Sequence, residues 1–218
     1  MYLSVGTRPD ITFAVNKVSQ YLEKSNKIHW NAVKRIFKYL KGTTKYGIHY
    51  STQQNNHIKA FSDADYAGDT ETRKSTTSFV LKLGDSAIAW GSTRQQTVGL
   101  FTTEAEYIAV SQTVKEIIWM KSLINNLVMF KNITTTLYVD NLSAIKLIKN
   151  PEFHRKSKHI DVRYHFIRNK FKEKEFLLQH IALKDQQADL LTKPLRRTIF
   201  EIQRNRLNIK SIEDMIDT

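Results

Sequence analysis

Four acidic side chains stand where the sequence switches from one kind of element to another: Asp63, Glu106, Asp140 and Asp189. Asp63 closes the strand-like stretch Lys59-Ala60-Phe61-Ser62, with Asp65 two residues on, and Asp140 directly follows Leu137-Tyr138-Val139. Glu106 sits in the first turn of a long helical pattern and Asp189 in the first turn or so of a short one. Carboxylates that converge repel one another unless a cation joins them, and hard divalent cations take oxygen ligands. Two such ions about 3.5–4 Å apart can clamp the attacking and leaving oxygens of a phosphodiester displacement. Each acid also has a plain structural use. Thr103-Glu104-Ala105-Glu106 fits a capping box, Asp140 could cap a following helix, Asp63 and Asp65 suit turns, and Asp189 suits a helix N-terminus.

The elements that would have to position these groups can be read from periodicity. Ile11, Val15, Val18 and Leu22 follow Arg8-Pro9-Asp10 at helical spacing, and Trp30, Val33, Ile36, Phe37 and Leu40 form a second stripe closed by Gly42. From about Lys45 the period becomes two, which predicts strands over 46–51, 58–63, 76–83 and 87–90. Turn signals fall at Asn55-Asn56, Ala67-Gly68-Asp69 and Gly84-Asp85. A long helix starts near Thr102 or Thr103 and carries Tyr107, Val110, Val114, Ile117 or Ile118, and Ile124 at helical spacing. Then come a strand over 135–139, helices over 142–148 and 159–172, a strand over 176–181, a short helix over 186–192, and a tail beyond Arg196 that is helical and then frays. Strands first, then alternating strands and helices, predict an α/β domain with a mixed sheet whose later strands are parallel. In such sheets ligands gather outside the carboxyl ends of the strands. Trp30, Trp90 and Trp119 are expected in the core.

Composition narrows the partners. With 34 Lys and Arg against 21 Asp and Glu, the 218-residue chain carries a formal +13, which favours a polyanion and nucleic acid first. The absence of cysteine excludes thiol nucleophiles, disulfides and cysteine-ligated metals. No apolar run approaches the ~20 residues of a membrane span, so no membrane partner is expected. Lys149, Arg155, Lys156, Lys158, Arg163, Arg168, Lys170, Lys172 and Lys174 are opposed only by Glu152, Asp161 and Glu173. That segment is either a solvated helix face or a phosphate-tracking rail, with Lys156, Lys158, His159 and Arg163 as its contacts. Arg73, Lys74 and Ser75, in a turn after the first acid-bearing strand, are further candidates, as are Asp65, Thr103 and Asn141 beside the acids.

The patterns around the acids are specific as a set. Phe61-Ser62-Asp63-Ala64-Asp65-Tyr66-Ala67-Gly68-Asp69, Arg73-Lys74-Ser75-Thr76, Thr102-Thr103-Glu104-Ala105-Glu106-Tyr107, Tyr138-Val139-Asp140-Asn141, Lys158-His159-Ile160-Asp161 and Ala188-Asp189-Leu190-Leu191-Thr192-Lys193-Pro194 together resemble the ribonuclease H domain of copia-type LTR-retrotransposon Pol polyproteins. The resemblance covers residues 1–195, the first part being similar to the segment that joins reverse transcriptase to RNase H. It implies a helical connection segment over 1–50, an RNase H-like domain over 51–195 and a helical tail over 196–218. The implied fold is a mixed five-stranded sheet, three antiparallel strands and then parallel ones, with helices on both faces.

The implied activity is endonucleolytic cleavage of the RNA strand of RNA–DNA hybrids with two Mg²⁺ ions, Mn²⁺ being able to substitute. Asp63, Glu106, Asp140 and Asp189 are the implied catalytic and metal-binding residues. Glu106 takes that role rather than Glu104, since Glu106-Tyr107-Ile108-Ala109 reproduces the family pattern. The implied partners are the hybrid and the reverse transcriptase of the same polyprotein, in the cytoplasm, a virus-like particle or the nucleus. One departure stands out: Ile181-Ala182-Leu183-Lys184-Asp185 lacks the histidine that many RNase H enzymes carry before the last acid. His180, on the preceding strand, is expected to pack or be exposed. A non-catalytic remnant with the same fold is the alternative. A transposase or integrase is disfavoured, because its Glu comes last in the chain.

Overall fold

In the computed structural model, residues 1–51, 57–127, 133–150 and 158–213 are described, the side chains of 158–161 excepted. Three helices open the chain: α1 (Tyr2–Gly6), α2 (Thr12–Ser19), entered through a 3-10 turn at Pro9–Ile11, and α3 (Lys27–Gly42). Pro9 is suited to that first turn because its missing N–H has no partner to lose there. Strand β1 (Tyr46–Ile48) follows, then the meander β2 (His57–Ala64), β3 (Thr76–Leu83) and β4 (Ser86–Arg94). Helix α4 (Thr102–Asn126), β5 (Thr134–Val139), α5 (Leu142–Lys149), α6 (Lys158–Lys172) and β6 (Leu177–His180) complete the alternating part. A 3-10 turn at Gln187–Leu191, α7 (Arg197–Arg206) and β7 (Ile209–Ser211) end it.

The main sheet has the order β4-β3-β2-β5-β6. β2–β3 and β3–β4 are antiparallel, β2–β5 and β5–β6 parallel. This is the mixed sheet that the alternation of elements predicts and the RNase H-like order that the sequence resemblance implies, and it sets β2 and β5 side by side. Their carboxyl ends, where Asp63 and Asp140 stand, therefore share one rim of the sheet.

The period of two divides the strand residues between two apolar layers. Ile58, Ala60, Leu81, Leu137 and Val139 meet α4, α5 and α6 through Val110, Val114, Ile117, Ile148 and Ile167. Phe61 and Val80 point the other way, onto Ala188, Leu190, Leu191, Leu207 and Ile209. Most of these side chains are fully excluded from water, and each of the larger ones, Val, Leu, Ile and Phe, contributes roughly 1.5–3 kcal/mol.

Three sequence expectations need correction. Directly after its helix the tail forms a strand, not a frayed end: Ile209–Ser211 pairs antiparallel with Tyr46–Ile48, tying this C-terminal segment to the strand that follows α3. Asn208, at φ 59°, makes the turn into that strand and donates from its amide to His49 O at 2.6 Å. Trp30 and Trp119 are not core; they are 60% and 56% exposed. Trp90 is half-buried and donates its indole N–H to Ser4 O at 2.7 Å. The Asn55-Asn56 turn signal and the loop carrying Pro151 lie outside the described residues.

The N-terminal helices pack on the same body. Asn16 Nδ2 donates to Ser92 Oγ at 3.2 Å, tying α2 to β4. Arg8 donates to both oxygens of Asp10 and to Thr43, while Tyr39 Oη donates to Asp10 at 2.6 Å. Arg204 of α7 completes this buried network against the Tyr39 hydroxyl at 3.3 Å. Among the described residues no helix is long and apolar enough to cross a membrane.

Candidate active site

Asp63 is the seventh residue of β2, opposite Ser78 of β3, and is 4% exposed. Asp140 follows the last residue of β5 and is half-buried. Glu106 comes from α4, whose start is pinned over the sheet. Gln95, just past β4, donates from Nε2 to Ala105 O and Thr77 Oγ1, both at 2.9 Å. The expected capping box does not form, because α4 opens at Thr102 with Phe101 as its N-cap. Glu104 instead accepts from Leu100 N at 2.8 Å, so that acid closes the helix start and Glu106 is left to turn inward. Two residues rotate a helix by about 200°, which is why only one of the two glutamates reaches the site.

Carboxylate oxygens of Asp63, Glu106 and Asp140 lie within 4.8 Å of one another. Glu106 Oε2 and Asp140 Oδ1 are buried and lack a hydrogen-bond partner among the described residues. At an effective dielectric of about 20, each pair of negative charges at this spacing costs roughly 3–4 kcal/mol. The protonation equilibria show the same conflict. Burial, and then the charge of Asp189, pushes the Asp63 carboxyl well above the usual carboxylate range. Burial followed by the charges of Asp63 and Asp140 does so for Glu106, while burial and then the charge of Asp189 raise the Asp140 carboxyl. A buried, all-oxygen, mutually repelling set with orphaned acceptors fits a hard divalent cation.

Asp189 borders this triad from the 3-10 turn on the opposite layer, 7% exposed, and its Oδ1 is ion-paired with Lys193 Nζ at 2.7 Å. Burial lowers the Lys193 pKa, but its bond to Asp189 and the charges of Asp63 and Asp140 outweigh that and leave it raised. Gln186 anchors the turn, donating to Ser62 O at 2.9 Å while accepting from Ala188 N.

The chain is 42% identical over 195 residues to the retrovirus-related Pol polyprotein from transposon RE2 of Arabidopsis thaliana, covering 89% of this chain. It is 43% identical over 202 residues to the corresponding polyprotein from transposon TNT 1-94 of Nicotiana tabacum, covering 93% of this chain. The chain belongs to the retrotransposon Pol polyprotein family. It spans 13% and 15% of the length of those two relatives. No family model matches the sequence. Among solved structures, the N-terminal RNase H domain of Rv2228c from Mycobacterium tuberculosis superposes on 68% of this chain and 96% of its own with a TM-score of 0.47 and 9% identity. The strand order and directions, rather than that loose superposition, define the fold.

The other candidate residues of the chain are placed unevenly. Ser75 is 1% exposed and accepts from Ala67 N, so it holds the turn after β2. Asp65 likewise accepts from Thr76 N and does not join the triad; Gly68 leaves room for it, since a Cβ there would lie 2.0 Å from Asp65 Oδ2 and would push that carboxylate aside. Arg73 is exposed in the same turn, at φ 55°, with Lys74 half-buried next to it. Asn141, not Asp140, caps α5, accepting from Ala144 N at 3.0 Å. Thr103 lines a groove of about 560 Å³ with Tyr66, Phe101, Ser143 and Lys146.

The proposed rail over 149–174 is only partly visible. Lys156, and the side chains of Lys158 and His159, lie outside the described residues, whereas Arg163 is half-buried on α6. Arg168 is no phosphate contact. It is 9% exposed and donates to Leu147 O and Asn150 O at 2.9 and 2.8 Å, capping the end of α5. Two contributors escaped the sequence reading. Thr192 donates its hydroxyl to Asp63, and Lys193 holds Asp189; both lie in the Asp-Leu-Leu-Thr-Lys stretch, the only signal that pointed to them. His180 is exposed, its Nε2 3.2 Å from Asp140 O, next to the acid rather than remote from it.

Proposed function

We propose that this Pol segment hydrolyses the RNA strand of RNA–DNA hybrids with divalent metal ions, Mg²⁺ in the cell, alongside the polymerase portion of the same polyprotein, in the cytoplasm or a virus-like particle. The observation that carries this reading is the meeting of Asp63, Glu106 and Asp140 within 4.8 Å, from two adjacent strand ends and a covering helix. Asp63, Glu106, Asp140 and Asp189 would hold the ions. Bound there, divalent ions supply polarisation of the scissile phosphate and a lowered pKa for the attacking water.

The protein's own contribution is placement. Thr192 orients Asp63 by donating to one carboxylate oxygen, which leaves the other free for a ligand. Lys193 holds Asp189 at the edge of the triad and offsets part of its charge. A groove lined by Tyr66, Leu100, Phe101, Lys146 and Leu147 is mainly apolar, and Thr102, Thr103 and Ser143 are the hydroxyl-bearing residues on it that could meet sugar oxygens. Recognition of the 2′-OH is what separates RNA from DNA in such a groove. The decisive measurement uses a labelled RNA–DNA hybrid with Mg²⁺, comparing the unmodified chain with Asp63→Asn. Cleavage of the RNA strand that falls by two or more orders of magnitude in the variant, in line with losing one preorganised charge-stabilising group, is the expected outcome. Binding of the hybrid by both proteins with cleavage by neither would overturn it in favour of a non-catalytic remnant.

A further inference from the structure

Helix α3 is the least integrated long element of the fold. None of its 16 residues is buried, and residues 27–42 contain five cations and no acid. At 3.6 residues per turn, Lys27, Trp30, Lys34, Phe37, Lys38 and Lys41 fall within an arc of about 100°. The half-buried Val33, Ile36, Tyr39 and Leu40 occupy the other side. Trp30 is 60% and Phe37 63% exposed. The four lysines of the stripe are exposed, and none enters an ion pair among the described residues. Two large aromatic rings in water among unpaired lysines contribute nothing to this fold.

The start of α3 lies beside the turn that follows β2, the strand that carries Asp63. Asn26 caps α3, and His29 stacks on Tyr21 with ring centroids 4.0 Å apart. These residues line a polar groove whose far wall is Asp69, Glu71 and Arg94, in and beside the turn after β2. From there α3 extends for about 24 Å.

We infer that the outward face of α3 is a docking track for single-stranded nucleic acid, the unpaired flank of the substrate cut at the acidic rim. The inference rests on the nuclease reading for which strand is held, not for the chemistry of the track. Alternating lysines and exposed rings are the means by which proteins hold single strands: phosphates meet the ammonium groups, and bases stack on the rings with little regard to sequence. A duplex hides its base faces and would leave Trp30 and Phe37 unused. A protein partner is disfavoured by the same residues, because lysine is depleted in the cores of protein interfaces.

The test is binding in EDTA, with cleavage silenced, by the full chain. The probes are a blunt RNA–DNA hybrid, the same hybrid with a 12-nucleotide single-stranded tail, and the tail alone. The tailed hybrid is expected to bind about tenfold more tightly than the blunt one. Lys34→Ala with Lys38→Ala should abolish that preference and reduce the slope of log K against log salt by about 1.4, two phosphates at about 0.7 each for single strands. Trp30→Ala should weaken tail binding about tenfold and remove the quenching of tryptophan fluorescence that the tail produces. The Lys34→Arg, Lys38→Arg pair, which keeps the charge, should restore binding. All these positions are exposed, and an unchanged melting temperature verifies the fold of each variant. Equal binding of blunt and tailed hybrids by the unmodified chain would overturn the track, as would unchanged tail binding by the alanine pair. Loss of association with the polymerase portion of Pol without loss of tail binding would overturn it in favour of a protein contact. Asp63→Asn must keep the tail preference, so failure of the track and failure of the nuclease reading are separable.

Discussion

Thr192 and Asp69 show how single side chains set the electrostatics of the acidic rim and its neighbouring turn. The Thr192 hydroxyl is the side-chain donor to Asp63, whose charge is otherwise opposed by burial and by Asp189. Hydrogen bonds to charged groups contribute about 1.5–3 kcal/mol. Thr192→Val is therefore expected to weaken Mn²⁺ binding, measured by calorimetry, by roughly tenfold or more while far-UV circular dichroism stays unchanged. Asp69 lies in the turn that follows β2. Burial raises its pKa, but donors from Thr72 N and Glu71 N and the Arg94 guanidinium outweigh that and bring it down to about 2. A carboxyl depressed in the folded state stabilises above its unfolded value near 3.9, and the contribution vanishes as pH falls through 2. Its size is about 2 kcal/mol. Urea unfolding of Asp69→Asn against the unmodified chain should show a gap of that order at pH 7 and almost none at pH 2. A gap that persists at pH 2 would point to packing instead of charge.

At the scale of elements, the acids are usable because caps elsewhere relieve them of structural duty. Glu104 closes the start of α4 and Asn141 caps α5, so neither Glu106 nor Asp140 is needed at a helix end. Replacing a side-chain cap by alanine costs about 1 kcal/mol, whereas serine caps nearly as well as asparagine. Asn141→Ala should lower stability by that amount and Asn141→Ser by much less, both measured by chemical denaturation. If hybrid affinity fell equally in the two variants, Asn141 would be a substrate contact as well as a cap. The Gly68 turn is also specified by an element. Asp65, folded back onto Thr76 N, fills the space a Cβ would need, and Gly68→Ala is expected to loosen the loop between β2 and β3.

For the whole molecule, the pairing of the C-terminal segment with β1 matters most. β7 adds no residue to the main sheet, yet Ile209 is fully buried against the second apolar layer while its strand pairs with β1. Ile209→Ala is expected to destabilise the whole chain by about 2–5 kcal/mol in a single transition. A separate early transition of the C-terminal residues, with the main melt unmoved, would show that the tail is an appendage. The Arg8–Asp10–Tyr39–Arg204 network points to the same coupling, since it joins the N-terminal segment to α7.

The sequence by itself determined the alternation of elements, the positions of Asp63, Glu106, Asp140 and Asp189 at element ends and, through local motifs, the family. These depend on short-range periodicity and on residues adjacent in the chain, which pattern reading captures. The local motif already favoured Glu106 over Glu104; what the folded chain adds is that Glu104 closes the start of α4 on Leu100 N, a contact no pattern in the chain announces. Only the tertiary structure decided that Arg168 turns inward, that Trp30 and Trp119 face water, and that Ile209–Ser211 is a strand at all. Three residues carry no period, and their partner lies more than 160 positions earlier, so that strand exists only once the sheet's second face has been covered.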